Sequence, residues 1–309
     1  MIDALTTLLS SPMMQRSLLA ALIVGLTAPI IGTYLVHRRL AMLGDGIGHI
    51  SLTGVALGWL VGAFANVSPA DSWAIPGAVI ISLLGAITIE LVRQSGRTSG
   101  DTALAMLFYG GIAGGVLLIG LAGGTSAQLN SYLFGSISTV RWSDITLITI
   151  LGIAIVALGI GLAPALFSVT NDEDFARSTG LPVRTLSLLI AVLSALTVAV
   201  AMRVVGSLLV SALMVIPVAI AQLGARSFRS TMGIAMALGV VICMSGLSLT
   251  YFIDLSPGAT IVVGAIALYA IGFGIRAIVD RIRRVRRLRA ARGRNQHPER
   301  ELLAHKDAS

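Results

Sequence analysis

Apolar runs long enough to cross a bilayer, about 20 residues each, recur almost from one end of this chain to the other. Few folds accommodate that. In hydrocarbon every backbone N–H and C=O must find its partner without water, so an all-α bundle of membrane-crossing helices is what such runs dictate. Hydrophobic residues make up 56% of the 309 positions and charged residues only 12%, against about a quarter charged in a soluble domain. A polytopic, all-α membrane protein is therefore expected. Met1–Arg16 lacks the basic region and short apolar core of a cleavable signal, so the first span serves as its own insertion signal. The single cysteine, Cys243, rules out an intramolecular disulfide and any cysteine-rich metal site.

The runs and their breaks divide into about nine crossings, or eight if a shorter one is re-entrant. They cover residues 17–36, 41–64, 74–92, 102–122 and 145–167, then 185–222, which is too long for one span and is split near 202–206. The last two cover 232–253 and 259–278. This gives an N-terminal segment (1–14), a membrane domain (15–279) and a basic tail (280–309). From Arg276 onward ten arginines and one lysine face four acids, whereas the residues before it hold eleven arginines against ten acids. Such a tail reads as a topology anchor beside anionic lipid rather than a nucleic-acid arm. Placing His37, Arg38 and Arg39 in the cytoplasm brings Arg93/Arg97, Arg177/Arg184, Arg226/Arg229 and the tail to the same side. The positive-inside rule then implies an extracytoplasmic N-terminus and a cytoplasmic C-terminus. Many glycines stand four apart, among them Gly44/Gly48, Gly54/Gly58 and Gly111/Gly115, the spacing that lets membrane helices approach closely.

Two polar features stand out. Asp45 and His49 lie four residues apart, so they share a helix face and can converge on one point. Oxygen plus nitrogen donors suit Zn²⁺, Mn²⁺ or Fe²⁺, and a two-ligand step suits an ion that must also leave. Alternatively, Asp45 caps the helix start and His49 satisfies a neighbouring carbonyl. Spacing alone leaves these readings level. The second feature is the stretch Asn171 to Arg184, "NDEDFARSTGLPVR", in which three acids precede a short helical stretch over 175–179 and a Gly-Leu-Pro stop. It is either a solvated loop or a docking helix for a cytoplasmic partner. Among the rest, Asp101 is expected to cap the fourth span, Glu90 to pair with Arg93, Arg203 to snorkel outward, and Asp254 to lie in a loop. No Walker A loop, nucleophile elbow or HExxH motif is present, so the chain is no self-contained ATPase, hydrolase or metalloprotease.

Four blocks, "HRRLAMLGDGIGHISLTGVALG", "NSYLFGSISTVRWSD", the run from Asp172 to Ala221, and "SPGATIVV", together resemble the membrane permease subunit of the metal-uptake ABC transporters of the zinc/manganese/iron group. The resemblance implies a type II ABC importer fold in the bacterial cytoplasmic membrane. It implies a permease homodimer on two cytoplasmic ATPase subunits that bind the ATP, with an external metal-binding protein delivering the ion; no cofactor is intrinsic. Asp45 and His49 match the family's positions in the ion path. Asp172, Glu173, Asp174, Phe175, Ala176 and Gly180 match the coupling helix that docks on the ATPase. The segment 203–221 is expected to pack near the path without supplying ligands. "LGDGIGH" looks more like the zinc members, which puts Zn²⁺ ahead of Mn²⁺ and Fe²⁺. A secondary metal transporter or channel, or an ABC permease for a metal chelate, is the alternative.

Overall fold

A computed structural model of the chain describes residues 10–66, 70–96, 99–136, 140–253 and 255–295. Arg97 and Asp254, named above, fall outside them. Every regular element among the described residues is helical. Eight helices are long and apolar enough to cross a membrane: α1 (Pro12–His37), α2 (Ala41–Phe64), α3 (Ala74–Ser95), α4 (Gly100–Leu121), α6 (Trp142–Gly161), α9 (Val183–Val205), α11 (Phe228–Phe252) and α12 (Pro257–Asn295). Between them lie the shorter α5 (Ser126–Phe134), α7 (Ala163–Asn171), α8 (Glu173–Ser178) and α10 (Val210–Gln222). The chain divides into one unit over Met1–Ile266 and a second over Ala267–Ser309.

α1 and α9 are the most enclosed of the spans. They carry Ile30, Ile31, Tyr34, Leu35, Ile190 and Leu193, all but inaccessible to solvent. Apolar burial alone does not hold helices together in lipid, so packing and hydrogen bonds must. Tyr34 supplies one such bond, its hydroxyl donating to the Gly159 carbonyl of α6 at 2.6 Å.

One end of the bundle gathers the His37 and Phe228 rings, 5.0 Å apart, the Arg38–Glu173 ion pair and the Gln94 amide donating to the Arg184 carbonyl. The opposite end holds the Ser256 hydroxyl donating to the Phe134 carbonyl and the Ser207 and Leu208 N–H groups donating to the carbonyls of Tyr132 and Leu133. α9 leaves the first end at Val183 and α11 starts from it at Phe228, so the chain must come back through α10. α10 has thirteen residues, about 20 Å of helix against about 30 Å of hydrocarbon. The expected seventh crossing is thus a short helix preceded by a non-helical break over 206–209. Gly206 makes the break possible, with φ at +88° in the left-handed region where a side chain is strained.

Three local expectations fare differently. Glu90 pairs with Arg93 through two hydrogen bonds of 3.0 and 2.8 Å. Asp101 does not cap α4: Ser99 is the N-cap, accepting from the Thr102 N–H, and Asp101 stands exposed in the first turn. Arg203 does not snorkel. Its side chain is 4% exposed, 3.6 Å from the Asp144 carboxylate and over the Tyr132 ring, because a buried partner charge and an aromatic face replace water.

Candidate metal pathway and coupling helix

Asp45 is the fifth residue of α2 and His49 follows one turn later. The helix starts at Leu40 with no side-chain cap, so Asp45 caps nothing. Its Oδ1 instead accepts a hydrogen bond of 2.8 Å from the Ser211 hydroxyl in the first turn of α10. His49 is buried, and its Nδ1 has no hydrogen-bond partner among the described residues. Of the alternative to a metal pair, the cap is not made, and the His49 Nδ1 finds no carbonyl among the described residues. A buried polar atom without a partner is costly and asks for a reason. A second orphan lies close in the chain path: the buried Ser207 hydroxyl, whose own carbonyl would meet a Cβ on Gly48 at 2.7 Å.

Small residues explain how three helices close around this turn. Gly44 faces the Met214 sulfur and Ser211 of α10. Gly111 of α4 sits against the His49 backbone, where a Cβ would come within 2.5 Å of the carbonyl carbon. One turn before it, Phe108 lays its ring edge-on to the His49 imidazole, centroids 4.1 Å apart. Phe108 also lines a cavity of about 370 Å³ with Met42, Asp101, Leu104, Ala105 and Tyr109. Among the described residues no cluster of three or more His, Cys, Asp or Glu side chains could cage a metal. What the geometry offers is one carboxylate, one imidazole and a hydroxyl held beside them. Ser207, Ser211 and Phe108 could not be named from sequence; segment 203–221 brings Ser207, Ser211 and Met214 against this turn.

At the arginine-rich end Asp172 caps α8, its Oδ1 accepting from the N–H groups of Asp174 and Phe175 at 3.0 and 2.9 Å. α8 stops at Thr179, and Gly180 follows with φ at +81°. Asp172, Asp174, Phe175 and Gly180 are exposed, Phe175 by 60%, whereas Ala176 is fully buried. Glu173, its side chain still 38% exposed, meets the buried Arg38. Burial and the nearby Arg93 guanidinium draw the Arg38 pKa down to about 10, with Glu90 opposing.

The chain matches the ABC 3 transport family over residues 10–276. It is 32% identical over 266 residues to the manganese transport system membrane protein MntC of Halalkalibacterium halodurans, covering 86% of this chain and 88% of that one. It is 29% identical over 255 residues to the high-affinity zinc uptake system membrane protein ZnuB of Haemophilus influenzae, covering 82% and 94%. Its fold superimposes on PsaBC from Streptococcus pneumoniae in complex with Fab with a TM-score of 0.78, at 30% identity over 88% of this chain and 95% of that one. The chain belongs to the ABC 3 transport family and, like these relatives, is a membrane permease for metal uptake, not an ATPase.

Proposed function

We propose that this permease passes a first-row divalent cation, Zn²⁺ or Mn²⁺, along a path in which Asp45 and His49 replace part of its hydration shell. The observation that carries this is the buried His49 with an unpartnered ring nitrogen, one turn from a carboxylate on the same helix face. Ser211 holds that carboxylate in place. Charged groups inside a bilayer mark ion routes, and two firm ligands let an ion go again. Oxygen and nitrogen donors without thiolate suit either metal, and the relatives' names divide between manganese and zinc. The zinc preference read from "LGDGIGH" therefore widens to the pair. Acidification weakens capture, because protonating His49 removes a ligand.

The permease works as a homodimer with ATP-binding cytoplasmic subunits seated on α8 through its exposed face around Phe175, and an extracytoplasmic protein delivers the ion. The arginine-rich end of the bundle faces the cytoplasm. Uptake of radiolabelled Zn²⁺ and Mn²⁺ by the assembled transporter carrying Asp45→Asn or His49→Ala tests the ligand pair. Both variants should reach normal membrane levels and lose uptake of both metals; undiminished transport by the two removes the assignment.

A further inference from the structure

Four charged side chains from three separate parts of the chain meet under α8. Arg38 lies in the turn between α1 and α2, Glu90 and Arg93 close α3, and Glu173 opens α8. Arg38 and Glu90 are 5% and 3% exposed. The Glu173 carboxylate bonds Arg38 and stands 3.6 Å from Arg93. Arg38 also donates to the Ser187 hydroxyl of α9 at 2.8 Å, and Glu90 accepts from Gln94 at 2.9 Å. Two positive and two negative charges balance, so the cluster carries no net charge. Within it the Glu173–Arg38 contact alone joins α8 to the turn that leads into the helix of Asp45 and His49. Packing supplies little else there. Of the six residues of α8, Ala176 is the one buried, while Phe175, Arg177 and Ser178 face outward.

The turn at Arg38 is stiff enough to carry a displacement. Its N–H donates to the Tyr34 carbonyl, Leu40 N–H to Leu35 and Leu43 N–H to Leu40, at 3.0, 2.8 and 2.9 Å. Arg39 holds the left-handed conformation, φ +59°. Asp45 is seven residues beyond Arg38, about two helical turns. A shift of Glu173 therefore reaches the base of α2 through a charge-assisted contact and a hydrogen-bonded turn, without passing through the loosely packed surface of α8.

We propose that Glu173 is not part of the surface that receives the ATPase but the joint that ties α8 to the Asp45–His49 helix, with Arg38 as its socket. This rests on the coupling role of α8 proposed above and divides that element by face: the exposed side docks, and Glu173 transmits. Glu173 and Arg38 are positioning residues. They touch neither ATP nor metal.

The test uses the assembled transporter with its ATPase and delivery protein in vesicles, reading three quantities: ATPase association, ATP hydrolysed per metal ion moved, and equilibrium binding of ⁶⁵Zn²⁺. Glu173→Gln keeps association and ⁶⁵Zn²⁺ binding, while ATP spent per ion rises about tenfold, within the range by which packed networks modulate coupling. Arg38→Gln does the same. The double variant is no worse than either single one, because the two act as one contact. Loss of association in a folded Glu173→Gln protein, a wild-type ratio, or additive effects in the double variant each overturn the proposal. Should Glu173→Gln fail to accumulate, Glu173→Asp keeps the charge with a shorter reach. It then gives an intermediate ratio, and a wild-type ratio there overturns the joint equally. The docking reading fails separately, if Phe175→Ala leaves association intact. The metal reading fails separately too, if wild-type protein binds neither ⁶⁵Zn²⁺ nor ⁵⁴Mn²⁺.

Discussion

At the scale of single residues, two buried polar side chains differ in what surrounds them. Arg203 has a carboxylate at 3.6 Å and an aromatic face, and it acts as a structural clasp between α9 and the start of α6. Both leave a nitrogen without a hydrogen-bond partner, the Arg203 Nε and the His49 Nδ1, but what stands beside His49 is an aromatic ring. The sequence shows both as lone polar residues in apolar runs and cannot separate them, because the partners are 59 and 71 positions from Arg203 and 59 from His49. Asp45 and His49 were legible as a pair only because four-residue spacing is itself geometric. The clasp is testable by stability. Arg203→Ala leaves Asp144 buried without its counter-charge, which costs about 3–5 kcal/mol, and thermal unfolding in detergent should show it. Removing Asp144 as well should restore part of the loss.

Arg38 invites a different test at the same scale. Its pKa is drawn below the ordinary guanidinium value to about 10. The charged form is therefore penalised in the fold below about pH 10, and the penalty is relieved as pH rises from there toward the unfolded value. At any pH where the transporter works, Arg38 remains protonated. The ratio of ATP hydrolysed to metal moved should accordingly stay flat between about pH 8 and 9, above the range in which protonating His49 weakens capture, and a slope there would show that another group titrates in the joint.

Among the elements, eight long helices were legible from hydropathy because each apolar run ends in polar punctuation. The break over 206–209 was not marked that way. Residues 185–222 contain only Arg203 and Gln222 and a few hydroxyls as polar landmarks, and the reversal depends on Gly206 and on backbone hydrogen bonds to Tyr132 and Leu133. Those contacts are made across more than seventy residues and leave no periodic trace. Helix-to-helix approach is similarly set by tertiary detail. Gly111 is one of several glycines spaced four apart, yet in this structure it is the one in contact with the His49 backbone. Gly111→Ala adds a methyl group where backbone already stands, a strain of about 1–3 kcal/mol that outweighs alanine's better helix propensity. The expected outcome is protein at near-normal membrane levels with lowered metal uptake. Gly110→Ala, one position away and in open space, is the control and should transport normally.

For the whole molecule, the passage count decides the orientation. Eight crossings alone would start and finish the bundle on one side; counting the return through α10 as a passage gives nine, the odd number that the orientation proposed above needs. α10 is short for that work, but the rings of His37 and Phe228 tie the start of α11 to the end that α9 left. That end also carries the exposed Arg177, Arg184, Arg226 and Arg229, the charges on which the proposed cytoplasmic placement rests. Cysteine labelling reads this directly, since the native Cys243 is fully buried and contributes little background. Ala65 lies at the far end of α2, and Gly224 just after α10; both are exposed. In intact cells a membrane-impermeant maleimide should label Ala65→Cys and leave Gly224→Cys untouched until the membrane is opened. Labelling of both from outside would mean that α10 does not complete its passage, and the cytoplasmic placement of α8 would then have to be argued without it.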